Sequence, residues 1–206
     1  MTVKSNFYNV IIPHLDAVLA VDKNFDIIHR KLAIGGRDAT VYFIDGFVKD
    51  EVLQKLLQQF QSMKEKDMPD TVHEMLDKFI PYFEVDLIQE ESAILKQILS
   101  GAPCLFIDGY DFGIAIDCRT YPARSVDEPD KDKVMRGSKD GFVETVVFNT
   151  ALIRRRIRDP KLRMEMFEIG DSSRTDVVVC YMDGRADEKL LSKLRDRLNR
   201  LKVDAP

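Results

Sequence analysis

One stretch of this sequence is written twice. Residues 38–60 read DATVYFIDGFVKDEVLQKLLQQF, and residues 176–198 read DVVVCYMDGRADEKLLSKLRDRL. At a constant offset of 138, Asp38, Asp45, Gly46, Leu53, Lys55 and Leu56 recur as identities. Ile34-Gly35 and Ile169-Gly170 precede the two copies, each after a strand-like run. The common unit is strand, glycine turn, strand, Asp-Gly, helix. Two copies in 206 residues predict two small α/β subdomains with mixed sheets, residues 1–100 and 101–206. A helical segment and a hairpin would separate the copies.

The elements follow from periodicity. Partial alternation in residues 25–33 (FDIIHRKLA) and the short apolar run TVYFI at 40–44 read as strands around the turn GGRD. In residues 49–64, Val52, Leu53, Leu56, Leu57 and Phe60 recur at helical spacing. Helices are also expected from Pro69 to Phe79, Glu90 to Leu99, Val143 to Arg158 and Asp187 to Lys202. A hairpin is expected around DGYD, with strands at 104–107 and 112–119, and further strands at 162–169 and 176–182. Residues 121–139 read as a long polar loop.

Composition excludes several classes. With 45% hydrophobic residues the chain is neither low-complexity nor mainly disordered. No apolar run reaches the ~20 residues of a membrane-spanning helix, and the N-terminal residues lack the pattern of a secretory signal. A soluble, non-secreted piece is therefore expected. Cys104, Cys118 and Cys180 are widely spaced and sit in apolar runs, so they read as small hydrophobes in a reducing compartment.

Catalytic signatures are missing. His14, His29 and His73 are far apart, and His73-Glu74 lacks a second histidine one turn on, so no metal site is expected. The segments GGRD and RGSKDG lack the Gly-Lys-Ser/Thr of a phosphate loop, and no nucleophile elbow occurs. The chain reads as a non-enzyme without a cofactor.

The unusual residues form a basic island. From Arg119 to Arg163 there are 12 basic and 7 acidic residues in a chain of net charge −4. Its candidate binding or interface residues are Arg119, Arg124, Glu128, Arg136, Glu144, Asn149, Arg154, Arg155 and Arg156. On the helix at 143–158, one apolar stripe runs through Val143, Val146, Thr150, Ile153 and Ile157. Phe148 and Leu152 lie nearly opposite, as on a helix covered on both faces and wedged between subdomains. Three uses of the arginines stay open. They can fork onto carboxylates such as Glu128, Glu144 or acidic residues of the first subdomain. Arg124, Arg136 and Arg154 can instead line a cleft for an anion or nutrient. Nucleic acid is the weakest use, because no aromatics alternate with the arginines, and none is expected as a partner. In the last helix Leu190, Leu191, Leu194, Leu198 and Leu201 make an apolar stripe flanked by basic residues. It reads as a docked surface helix, or as an approach to an anionic membrane surface.

The same island carries a family resemblance. Arg119-x-Tyr121-Pro122-x-Arg124, Glu128-Pro129, Arg136-Gly137, Asp140-Gly141-Phe142-x-Glu144, Asn149, Leu152 to Arg156 and Asp159-Pro160 stand in order. With Ile169-Gly170, Ser173, Thr175 and Tyr181, they resemble the N-terminal soluble domain of the A subunit of GerA-type spore germinant receptors and their sporulation-stage relatives. The resemblance implies two α/β subdomains likened to those of bacterial substrate-binding proteins. It implies a domain on the cytoplasmic, spore-core side of the spore inner membrane, preceding a bundle of transmembrane helices. B- and C-type subunits, and further copies of itself, are the implied partners, in a receptor that senses nutrients and leads to ion release. The family pattern includes a transmembrane part that this sequence lacks, so the chain is expected to be one domain of a longer protein that meets the membrane through other segments.

Overall fold

A computed structural model describes residues 6–80, 84–121 and 141–201. The elements are α1 (Phe7–Leu19), β1 (Ile27–Ile34), β2 (Arg37–Ile44), α2 (Asp50–Ser62), α3 (Val72–Phe79), β3 (Val85–Ile88) and α4 (Glu91–Leu99). They continue with β4 (Cys104–Ile107), β5 (Gly113–Ile116), α5 (Val146–Arg156), β6 (Leu162–Ile169), β7 (Thr175–Met182) and α6 (Glu188–Arg200).

The repeat is structural. Both copies are a helix, a β-hairpin and a second helix: α1-β1-β2-α2 and α5-β6-β7-α6. β7 and α6 follow β2 and α2 by 138 residues, while β6 follows β1 by 135. The difference is the turn: Ile34 lies opposite Arg37 in the first hairpin, whereas Ile169 lies opposite Thr175 in the second. Hydrogen bonds repeat as well. Asp45 N–H donates to the Asp26 carbonyl at 2.8 Å, and Asp183 N–H donates to the Lys161 carbonyl at 2.9 Å. Gly46 and Gly184 turn the chain at φ +79° and +75°, which favours glycine at both places.

The first copy is extended into a five-stranded sheet of order β1-β2-β4-β5-β3. β4 lies beside β2, with Tyr42 opposite Cys104 and Ala39 opposite Ile107. The division expected after residue 100 therefore cuts through this sheet. Strand pairing carries the first unit to Ile116. The α/β class holds, but every strand pair described is antiparallel where mixed sheets were expected. In the hairpins β1-β2, β4-β5 and β6-β7, turns of two to five residues permit only antiparallel neighbours, since a parallel crossover needs a dozen or more.

Alternation makes the sheet a middle layer. Tyr42, Ile44, Cys104, Phe106 and Ala115 share a core with Ile12, Leu15 and Leu19 of α1 and Ile94 and Ile98 of α4. Ala39, Val41, Leu105, Ile107, Ile114 and Ile116 cluster with Leu56 and Phe60 of α2 and Val72 and Met75 of α3. All eight residues of β4 and β5 are buried, as expected of strands covered on both faces.

The second copy is a two-stranded sheet, β6-β7, with α6 against β6. Leu191 is buried, but Leu190 and Leu201 are exposed, so the leucine stripe of α6 is only partly docked. Arg195 fastens the helix. It donates to both carboxylate oxygens of Glu165 at 2.7 and 2.8 Å, to Glu188 at 2.8 Å and to the Tyr181 hydroxyl at 3.0 Å. The Arg195 hydrogen bonds hold the Glu165 carboxyl below the ordinary carboxylate range, against the opposing effect of burial. A depressed carboxylate contributes stability that is complete above its unfolded pKa of about 4 and is lost as pH falls through the folded value. Acid is thus expected to loosen α6. Corrected for the intrinsic pH dependence of exchange, amide protection in α6 should fall between pH 5 and pH 3 relative to β4, and an equal fall in both would contradict this.

Candidate functional site

The two copies meet at α5, and three local features place it there. The Asn149 side chain braces the incoming chain, accepting from Val143 N–H and donating to the Val143 carbonyl, both at 2.7 Å. Thr150 and Ala151 present small side chains that allow close approach. At Gly46 a β-carbon would lie 3.2 Å from Val147 Cγ1 and 3.5 Å from Ala151 Cβ. The helix starts at Val146 rather than at 143.

Arg154, one turn beyond Thr150, is 0% exposed. Its Nε donates to Asp26 Oδ2 at 2.8 Å and its Nη2 to Asp26 Oδ1 at 3.0 Å. Nη1 and Nη2 each reach the Leu162 carbonyl at 3.4 Å. Asp26 ends the approach to β1, and Leu162 opens β6. One guanidinium thus ties the start of both hairpins, and the two-pronged carboxylate pairing suits arginine over lysine. Asn24 makes a second tie. Its Nδ2 donates to the Leu19 carbonyl at 2.7 Å, and its Oδ1 accepts from Met164 N–H at 2.8 Å. Phe25 N–H donates to the Met164 carbonyl at 3.2 Å, so this segment occupies the outer edge of β6. Beside the junction, burial raises the Asp45 carboxyl above its ordinary range, with smaller contributions from Asp50 and Asp26.

The next arginine is used differently. Arg155 is exposed, and its guanidinium lies 4.6 Å from the ring centroid of Tyr121. Tyr121 packs edge-on against Phe47 at 5.1 Å and donates to the Ser100 carbonyl at 2.8 Å. Arg119 pairs with Asp117 through two hydrogen bonds and donates to Ser100 Oγ at 3.0 Å. These bonds lower the Asp117 carboxyl.

Of the nominated residues, Asn149, Arg154 and Arg155 converge on the junction, and Arg119 braces the strand end that leads to Tyr121. Glu144 and Arg156 are exposed. Arg124, Glu128 and Arg136 lie outside the described residues. Two expectations are corrected. Phe148 is 46% exposed, so α5 is not covered on both faces: its buried residues are Thr150, Ala151 and Arg154. Cys180, read as a small hydrophobe, is exposed on β7. Sequence reasoning passed over Asn24 and Asp26. The repeat contained the signal, since at the 135-residue offset they fall opposite Asp159 and Lys161, where the second hairpin makes its own turn.

The described residues contain no group of three or more His, Cys, Asp or Glu side chains able to hold a metal ion. No described helix is long and apolar enough to cross a membrane. A surface groove of about 740 Å³ between α2 and α3 is lined by Met63, Lys66, Met68 and Glu74, apart from the nominated arginines.

Comparison with known proteins identifies the arrangement. Residues 16–206 match the family described as Bacillus/Clostridium GerA spore germination protein. Stage V sporulation protein AF of Bacillus subtilis is 34% identical over 182 residues, which cover 88% of this chain and 37% of that protein. Spore germination protein KA of the same organism is 26% identical over 189 residues, covering 90% and 35% respectively. The chain therefore spans little more than a third of the length of these curated relatives. The crystal structure of the N-terminal domain of the A subunit of the Bacillus megaterium spore germinant receptor GerK3 shares the fold. Its TM-score is 0.67 at 22% identity, over 94% of this chain and 70% of that one. The chain belongs to the GerA family of spore germination proteins.

Proposed function

We propose that this chain is the N-terminal domain of a germinant receptor A-type subunit and acts in nutrient-triggered germination through receptor assembly and signal coupling. In this reading it lies on the spore-core side of the spore inner membrane, contacts B- and C-type subunits, and is held to the membrane by segments outside this chain. The observation that carries it is the division of labour on α5. The inner side of the helix is bound into both repeats through Ala151 and Arg154. Its outer side presents Phe148 and Arg155, both exposed. An aromatic and arginines on an exposed, rigidly held helix have the composition of a protein contact. A displacement imposed there reaches both hairpins at once. Arg154 is unavailable to a nutrient, because its donors are spent on Asp26 and on main-chain carbonyls.

Phe148→Asp in the full-length receptor tests this. Phe148 is half exposed, so melting of the domain is expected to shift by less than about 3 °C, in line with roughly 1 kcal/mol or less for such sites. Recovery of B- and C-type subunits with the A-type subunit should fall severalfold, and nutrient-triggered germination should slow with it. Unchanged recovery and germination would refute the reading.

A further inference from the structure

The repeat shows what the second copy lacks. In the first copy the outer edge of β2 is paired with β4 over Ala39–Tyr42. Those four residues, Ala39, Thr40, Val41 and Tyr42, are 0–2% exposed. Their counterparts at the 138-residue offset are Val177, Val178, Val179 and Cys180 on β7. No strand lies beside β7 on that edge among the described residues, and none of the four is buried. The other edge of this small sheet is already taken by Asn24 and Phe25 at Met164. Three β-branched residues on an open edge, with no lysine, proline or bulge among them, form a template that soluble proteins ordinarily guard against.

We infer that the outer edge of β7 is a strand-addition site, at which an extended aliphatic segment of a partner protein pairs antiparallel with Val177–Cys180. The first copy defines the occupant. There the strand in this place is Cys-Leu-Phe-Ile, uncharged, with all four residues buried. The open edge is itself uncharged between Asp176 and Asp183, so it favours an equally uncharged strand. Main-chain hydrogen bonds would supply affinity, and alternate side chains would meet half-exposed Val178 and exposed Cys180 on one face.

The probe is a peptide of the chain's own β4, residues 102–108, with lysines added at one end for solubility. Bound to the 206-residue chain, it should slow amide exchange at Val177–Cys180. Val178→Lys should weaken binding at least tenfold, while Val178→Thr, which restores the residue of the first copy, should bind like the parent. Four results would overturn the inference. One is slow exchange at Val177–Cys180 in the chain alone, which means that the edge is already covered. The second is peptide protection at residues 39–42, which means that the peptide has displaced β4. The third is binding indifferent to Val178→Lys. The fourth is dimerisation of the chain abolished by that substitution, which would make a second copy the occupant.

Discussion

Arg154→Met is expected to lower the melting temperature by about 6–20 °C. The substitution leaves Asp26, 2% exposed, as a buried carboxylate without its cation. Breaking a buried pair from one side costs about 3–5 kcal/mol, and a chain of this length loses about 2–4 °C per kcal/mol. Arg155→Met is the control, because its stack on Tyr121 is an exposed contact worth about 0.5–1 kcal/mol. Adding Asp26→Leu to Arg154→Met should recover much of the loss, since a buried ion pair exchanged for apolar groups is often neutral or better. Thermal unfolding of the four proteins decides the matter. A single Arg154→Met as mild as Arg155→Met would mean that the junction is not held by this pair.

The second large effect is expected at Gly101. Its φ of +95° disfavours any residue with a β-carbon, and that carbon would sit 2.4 Å from Phe47 Cδ2 and 2.8 Å from Phe47 Cβ. Phe47 is 0% exposed and cannot swing aside, being packed against Tyr121 and anchored by the Thr120 N–H bond to its carbonyl. Strained backbone and overpacking each cost about 1–3 kcal/mol, so Gly101→Ala should destabilise by about 3 kcal/mol. Denaturant titration would show this as a lower midpoint at unchanged slope. A midpoint within error of the parent would show that the Phe47 cluster yields. Because Tyr121 rests on Phe47, the variant should also loosen the Arg155 stack.

Much of this architecture was legible because it rests on local pattern. The two hairpins, the Asp-Gly turns and the helices that follow were visible from alternation, glycine and helical spacing. So was the 138-residue offset that the turn hydrogen bonds bear out. α1 was not seen, although Ile11, Ile12, Leu15 and Leu19 fall on one face, because Pro13 stands inside it. That proline is tolerated on the exposed side. β3 escaped notice as a run of only four residues. The misplaced division after residue 100 has another cause. β4 and β5 belong with β2 through pairing across about 65 residues, and periodicity says nothing of pairing at that distance. At the junction, an arginine-rich helix beside carboxylates was readable, but the choice among its arginines was not. A helical wheel puts charge at the margin. Here Thr150 and Ala151 open a space that admits Arg154 beneath the helix while Arg155 stays outside.

The single guanidinium at the base of both hairpins also sets the kind of motion available to the molecule. Separating the repeats would drag a charge pair through an apolar medium before water could reach either member, so gradual flexing at this point carries a steep penalty from its first step. The two halves travel as one lever. A force applied to one is felt by the other as rotation of the whole body, and any looser response must come from parts that this charge does not tie down, the helix held by Arg195 and the unguarded edge beside it.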